Sequence, residues 1–408
     1  MNLSPSVVMR NPNLLSLDEM IHYNPDQYFK HSRYLNHKKL DALYLSYFIK
    51  LFGDSFIGGL TTVFLLSKGF RVPQVALYFL IYFVVAFLVS FPARSMMKHI
   101  GVGKTLGIGI LAYIVYCLML RQIGAIPLEL VGVVFGVASG LYFSAFNIEL
   151  AHALQKSKTE GAAVAIIRII AVLASVVGPL VGSIFMTKVS FQALLLVVSF
   201  ISLASLLPLF ASKDYRVKLP VFSIPRIMQL GNTRLAATLA LRGAVEIGID
   251  ILWPAFIFLN YQSFIAVGGI LSATSLLMTL VIYVAGKYSD LRQADSYRLG
   301  VLSHAPTWII RLLLLSPGGL LISNILGSMT AYFIDIPFNK ALYHKANESG
   351  VAADFFIFAG LFTCLGRAGL LVTVAAFPDL TVLFILISAL TFLHLILLPD
   401  LKEHALAT

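Results

Sequence analysis

The sequence predicts an all-α integral membrane protein, and three observations carry that prediction. Of 408 residues, 59% are hydrophobic and only 12% are charged, where a soluble domain carries about 25% charged residues. The apolar residues fall in runs long enough to cross a bilayer as helices, without the period-two alternation of a membrane barrel. The basic residues fall between those runs. A mean hydropathy of +0.88 excludes a water-soluble sphere, which would have to expose large apolar areas.

Twelve runs qualify as spans, at about 40–66, 74–93, 105–120, 126–150, 161–187, 191–211, 235–259, 264–285, 299–316, 318–339, 350–377 and 380–399. Lys and Arg placement tests the count. With the N-terminus inside, twenty-one of these residues fall in inner loops and tails and four (Lys68, Arg71, Arg121, Lys188) in outer loops. The rest lie within spans. This asymmetry places both termini in the cytoplasm, and the plasma membrane of a bacterium is the expected location. The same distribution explains the net charge of +11: the clusters suit an anionic lipid surface, and no arginine-rich arm points to nucleic acid.

The first 39 residues are polar and lack a signal-peptide pattern, so they read as a cytoplasmic tail. The segment 40–211 forms one six-span half, 212–234 a polar central loop, 235–399 a second half, and 400–408 a C-terminal tail. The halves echo one another. "FIKLFGDSFIGGL" overlays "AVEIGIDILWPAF", setting Asp54 against Asp250 and Lys50 against Glu246. "YFSAFNIELAHAL" similarly echoes "YFIDIPFNKALYH". Parallel six-span repeats define one large transporter architecture.

Three stretches resemble the major facilitator superfamily. "GKYSDLR" keeps Gly286, Asp290 and Arg292 of the family's motif between the eighth and ninth spans. The copy after the second span, "RSMMKHIGVGK", keeps Gly101 and Lys104 but sets Arg94 at the usual glycine and Lys98 at the usual aspartate. "ASVVGPLVGSIF" in the fifth span resembles the signature of proton-coupled antiporters through Gly178, Pro179 and Gly182; these residues also suit plain helix packing at a kink. The resemblance implies a cavity between two six-helix halves, lined by spans one, four, seven and ten. It also implies alternating access and a latch between the loop after span two and the start of span eleven.

Charges inside spans cost about 2.5–3.5 kcal/mol each when facing lipid at mid-membrane, so they should face a cavity or each other. They are Lys50, Asp54, Glu149, Arg168, Arg242, Glu246, Asp250, Arg311, Asp335, Asp354 and Arg367. Arg242, Glu246 and Asp250 stand at four-residue intervals and share one helix face. Lys50–Asp54 and Arg242–Glu246 read as opposite-charge pairs, which leaves Asp250 as a surplus carboxylate. Asp54 and Asp250, near mid-span, are the candidates for the proton or substrate. Glu149 and Asp335, near the inner ends of their spans, suggest gate residues. Arg168, Arg311 and Arg367 suggest a buried charge network, with Arg168 and Arg367 equivalent by repeat. The latch is expected with reversed sign, Lys98 or Arg94 to Asp354, with Lys287 or Arg292 to Glu160 as its counterpart. Both should be wet-edge pairs worth about 0–1 kcal/mol. Trp253, Pro254, Phe56, Tyr142, Phe143, Tyr332 and Phe333 are candidates for an aromatic wall.

No metalloprotease or serine-hydrolase motif appears, and His304 and His394 lack ligand partners at helical spacing. Cys117 and Cys364 sit on far-separated apolar runs, which argues against a disulfide. No metal, cofactor or enzymatic activity is expected. The expected protein is a monomeric secondary transporter that exports a small amphipathic compound against protons. Import of a nutrient or organic anion is the alternative, followed by lipid flipping or metal-ion export.

Overall fold

The computed structural model describes residues 44–155, 160–210, 223–349 and 351–396, with residues 42, 214 and 216. The tails expected at 1–39 and 400–408 lie outside the described residues. Helices account for nearly all of the rest. They are α1 (Tyr44–Ser67), α2 (Val72–His99), α3 (Val102–Arg121), α4 (Leu128–Gln155), α5 (Glu160–Lys188) and α6 (Phe191–Phe210). After the central loop come α7 (Thr233–Tyr261, in three stretches), α8 (Phe264–Leu291), α9 (Gln293–Leu313), α10 (Pro317–Glu348), α11 (Ala352–Ala376) and α12 (Leu380–Ile396).

Seven of these, α1–α4, α6, α10 and α11, are long and apolar enough to cross a membrane unaided, and α8 is an eighth if counted as one bent span. The stretch Val172–Lys188 of α5 and the whole of α12 are apolar but shorter. Helices of this length and composition make a multi-pass membrane protein.

Local chemistry sets the helix starts. Asn232, Ser263 and Ser190 accept from the backbone N–H three residues on, at 2.8, 3.2 and 3.1 Å, satisfying a donor the first turn leaves unpaired. Gln262, at φ 49°, gives the left-handed turn that ends α7 before Ser263 opens α8. Gly101, at φ 111°, opens α3 in a conformation that disfavours side chains. There the Asp214 carboxylate accepts from Gly103 N at 2.8 Å and Lys104 N at 3.2 Å. A Cβ at Gly101 would run into that carboxylate. The central loop is thus fixed to α3 at one point. Further along it, the short helix Ile224–Met228 packs against α11, burying Ile227 among Phe355 and Phe358.

Within the first six helices α4 packs on α2 and α3, and α3 on α6; within the last six, α10 packs on α8 and α9, and α12 on α9. Contacts between the two sets run chiefly through α2 with α11 and α5 with α8. Small residues make the second contact close. Cβ atoms at Gly178 and Gly182 would collide with Ser55 and the Phe56 carbonyl of α1, and one at Gly268 with the Pro179 carbonyl of α5. Leu180 N adds a 2.9 Å bond to Ser272 Oγ of α8. The "GPLVG" stretch therefore serves close approach of α5 to α1 and α8. Gly286 does not: a Cβ there would meet nothing within 4 Å.

Candidate functional site

A cavity of about 930 Å³ lies between the two sets of helices, lined from α1–α5, α7, α8, α10 and α11. Its size matches that of small-molecule sites.

Two irregular turns face it. In α1 the helix breaks at residues 56–59, two residues after Asp54. Gly58 N and Ile57 N both turn back to the Asp54 carbonyl, at 2.9 and 3.1 Å. In α7 the α-helix Thr233–Ile247 passes into a π-turn, Gly248–Leu252, then resumes as Trp253–Tyr261. Pro254 explains the π-turn. It has no N–H to give the Asp250 carbonyl, and its ring crowds that oxygen. The chain widens by one residue, so that Trp253 N–H reaches the Gly248 carbonyl instead. Asp250 sits in the middle of this turn and lines the cavity.

The charges sort into clusters. On α1, Lys50 Nζ holds Asp54 Oδ2 at 2.6 Å and lies 3.6 Å from the Tyr113 ring centroid and 5.0 Å from that of Tyr142. Asp54 Oδ1 is buried and accepts no hydrogen bond among the described residues. On α7, Arg242 Nε meets Glu246 Oε1 at 2.9 Å and its Nη2 meets Asp335 Oδ1 of α10 at 3.1 Å. Arg367 of α11 gives Nη2 to Glu246 Oε2 at 2.6 Å. Three helices are joined through four charged groups. Asp250 stays outside this chain, exposed to the cavity, with no hydrogen bond or ion pair among the described residues. Tyr82 lines the same cavity, with its phenol within electrostatic reach of Arg367, Asp250 and Asp54.

At the end where α2 closes and α11 opens, Arg94 Nε meets Asp354 Oδ1 at 3.0 Å. Their side chains are 10% and 1% exposed, so the pair is buried and the wet-edge expectation is corrected. Lys98 is exposed and has no carboxylate partner among the described residues. Arg292, one expected member of the counterpart latch, stands 3.9 Å from Asp295, and the side chain of its expected partner Glu160 lies outside the described residues. Lys287 stacks over Tyr283 at 4.8 Å. The side chains of Arg168, Glu160 and Asp290 lie outside the described residues. Glu149 is buried near the end of α4.

Two further residues are placed by their contacts. Asp335, expected at a gate, belongs by contact to the α7 charge chain. Arg311, expected in a network with Arg367, is 1% exposed and sandwiched between Trp253 and Trp308, at 4.4 and 4.1 Å. Its charge is met there by π-faces, with no carboxylate partner among the described residues. Of the expected aromatic wall, Trp253, Pro254, Tyr142, Phe143 and Tyr332 line the cavity, while Phe56 is core. Tyr82 and Tyr113 are cavity residues that sequence reasoning misses. Their signal is a phenol in mid-run, a polar group that hydrocarbon disfavours.

A sequence model of the Major Facilitator Superfamily matches residues 43–369. No curated protein matches the chain. Among solved structures, one similar fold is a POT family transporter in complex with 5-aminolevulinic acid, with a TM-score of 0.71 and 11% identity over 89% of this chain and 96% of that one. A peptide transporter POT in complex with sulfate is similar at 0.69 and 14%, over 88% and 94%. The human organic anion transporter MFSD10 (TETRAN) is similar at 0.63 and 14%, over 89% and 99%.

Proposed function

The chain belongs to the Major Facilitator Superfamily, and on that premise we propose that it exports a small amphipathic compound in exchange for protons by alternating access. It is a membrane transporter and not an enzyme. The proposal includes twelve spans in two six-helix halves, 40–211 and 235–399, joined by a central loop at 212–234. Both termini lie on the cytoplasmic side of a bacterial inner membrane, and the working unit is a monomer. The paired contacts of α2 with α11 and α5 with α8 support the halves, because rocking halves need two symmetric seams.

One observation carries the functional reading. Asp250 is a carboxylate on the cavity wall without a counter-ion among the described residues, held at a π-turn that Pro254 enforces. A carboxylate so placed exchanges a proton at low cost, because no ion pair must break first. The groups facing that route are Glu246 on α7, Arg367 on α11, Asp335 on α10, Tyr82 on α2, and Lys50 with Asp54 on α1. Among the described residues the guanidinium groups on the cavity wall are held by carboxylates, which supports this reading over import of an organic anion.

The test uses purified protein in liposomes, with a ligand found by thermal-shift screening of metabolites, drugs, lipids and divalent ions. An imposed pH gradient should drive uphill transport. Asp250→Asn should abolish it and leave counterflow exchange. Uphill transport unchanged in both Asp54→Asn and Asp250→Asn removes these residues from the proton route.

A further inference from the structure

The charges on the cavity wall do not cancel. Its cationic residues are Lys50, Arg94, Arg242 and Arg367. Lys50 is paired with Asp54, Arg94 with Asp354, Arg242 with Glu246 and Asp335, and Arg367 with Glu246. Four positive charges therefore stand against those four carboxylates, and Asp250 is a fifth carboxylate left over among the described residues. Among the described residues, an anion entering this space would meet no unpaired cation. It would have to separate a guanidinium or ammonium from its carboxylate, leaving that carboxylate stranded. A cation would meet Asp250 without breaking any pair.

The surroundings of Asp250 suit such a guest. Tyr82, Phe79, Phe143 and Tyr332 present ring surface to the cavity. Ring faces attract a cation whose hydration shell is weak, and they favour an apolar body over a small hydrated ion. The site holds one uncompensated carboxylate and no group of three or more His, Cys, Asp or Glu among the described residues, which disfavours a divalent metal.

We propose that the substrate is an amphipathic organic monocation, whose positive centre is held by Asp250 and whose apolar body lies against the aromatic wall. This rests on the transporter reading for its physiological meaning, but the binding claim stands apart from proton coupling.

The experiment measures binding to the full chain in lipid nanodiscs, with empty nanodiscs as the blank and no gradient applied. Three probes share bulk and differ in charge: tetraphenylphosphonium, tetraphenylborate and triphenylphosphine oxide. The chain has two tryptophans. Trp253 lines the cavity three residues from Asp250, so intrinsic fluorescence reports on the site without a label. The phosphonium should bind at least about tenfold more tightly than the other two. Asp250→Asn should weaken the phosphonium by about tenfold or more and leave the neutral oxide within about twofold. Asp250→Glu should restore the preference, which a merely structural role for Asp250 would not produce.

Equal or tighter binding of tetraphenylborate overturns the proposal. So does undiminished phosphonium affinity in folded Asp250→Asn, or absence of phosphonium binding to the native chain. The failures are separable. A cation that binds but is not driven uphill by protons overturns the coupling and leaves this inference. Proton-driven transport restricted to anions or neutral compounds does the reverse.

Discussion

Asp54 and Asp250 both stand at irregular stretches of cavity-lining helices, Asp54 in the last helical turn before the break of α1 and Asp250 inside the π-turn of α7. The two turns differ in the charge that precedes each acid by four residues. Asp54 keeps Lys50 at 2.6 Å, whereas the residue four back from Asp250 is Glu246, already shared by two arginines. Equivalent places in the two helices therefore hold a neutralised acid in α1 and, among the described residues, an unpaired one in α7.

Pro254→Ala should return α7 to regular α-helix, since an alanine N–H can bond the Asp250 carbonyl. The protein should stay folded or gain stability, while Asp250 rotates away from its present position. Ligand affinity should fall about as far as in Asp250→Asn. An unchanged affinity in binding titrations would show that the π-turn does not place this carboxylate.

The four-charge chain gives a double-mutant test. Glu246→Gln leaves Arg367 without its carboxylate and should cost about 1.5–3 kcal/mol in thermal unfolding. Arg367→Gln should cost a similar amount. The double variant keeps Arg242 on Asp335, so its loss should be well below the sum. Pairing Arg242→Ala with Glu246→Ala should recover less, because it strands both Arg367 and Asp335. Strict additivity of Glu246→Gln and Arg367→Gln would mean that the 2.6 Å contact between Arg367 and Glu246 carries no coupling energy.

Arg94 and Asp354 are buried, so removing one partner should be severe, about 3–5 kcal/mol. If the pair is a latch, cysteines at 94 and 354, in a background with Cys117 and Cys364 changed to serine, should crosslink in one transport state only. Equal crosslinking with the cavity trapped open to either side would assign the pair to structure.

Gly182→Leu should force α5 off the Phe56 carbonyl and cost about 1–3 kcal/mol. Gly286→Ala meets open space and should instead add about 0.5–1 kcal/mol through helix propensity. Melting temperatures of the two variants decide between a packing role and a signature role for each glycine.

The sequence shows spans and local pairs well, because both depend on near neighbours. Apolar runs mark the helices, and four-residue spacing reveals Lys50–Asp54, Arg242–Glu246 and the surplus at Asp250. What it hides is pairing between helices distant in the chain. Nothing near Asp335 indicates that its partner is Arg242, three helices earlier. Nothing near Arg311 shows that two indoles, one from α7, will enclose it. Lys98 and Arg94 look equivalent in the sequence, and only the packing of α2 on α11 buries one and leaves the other in water. The π-turn is legible in principle, since a proline four residues after an acid inside an apolar run removes that acid's backbone partner.

The fixing of Asp214 to the start of α3 also sets a leash. One end of the central loop is tied to α3, and the helix Ile224–Met228 is tied to α11 on the other side. About ten residues join these anchors, a reach of at most about 36 Å when fully drawn out. Any motion that swings the two sides apart must stop where this tether becomes taut. Gly101 allows the anchor to form, so a side chain there would lengthen the leash by freeing Asp214. The maximum opening of the protein would then be set by a residue that touches neither cargo nor cavity.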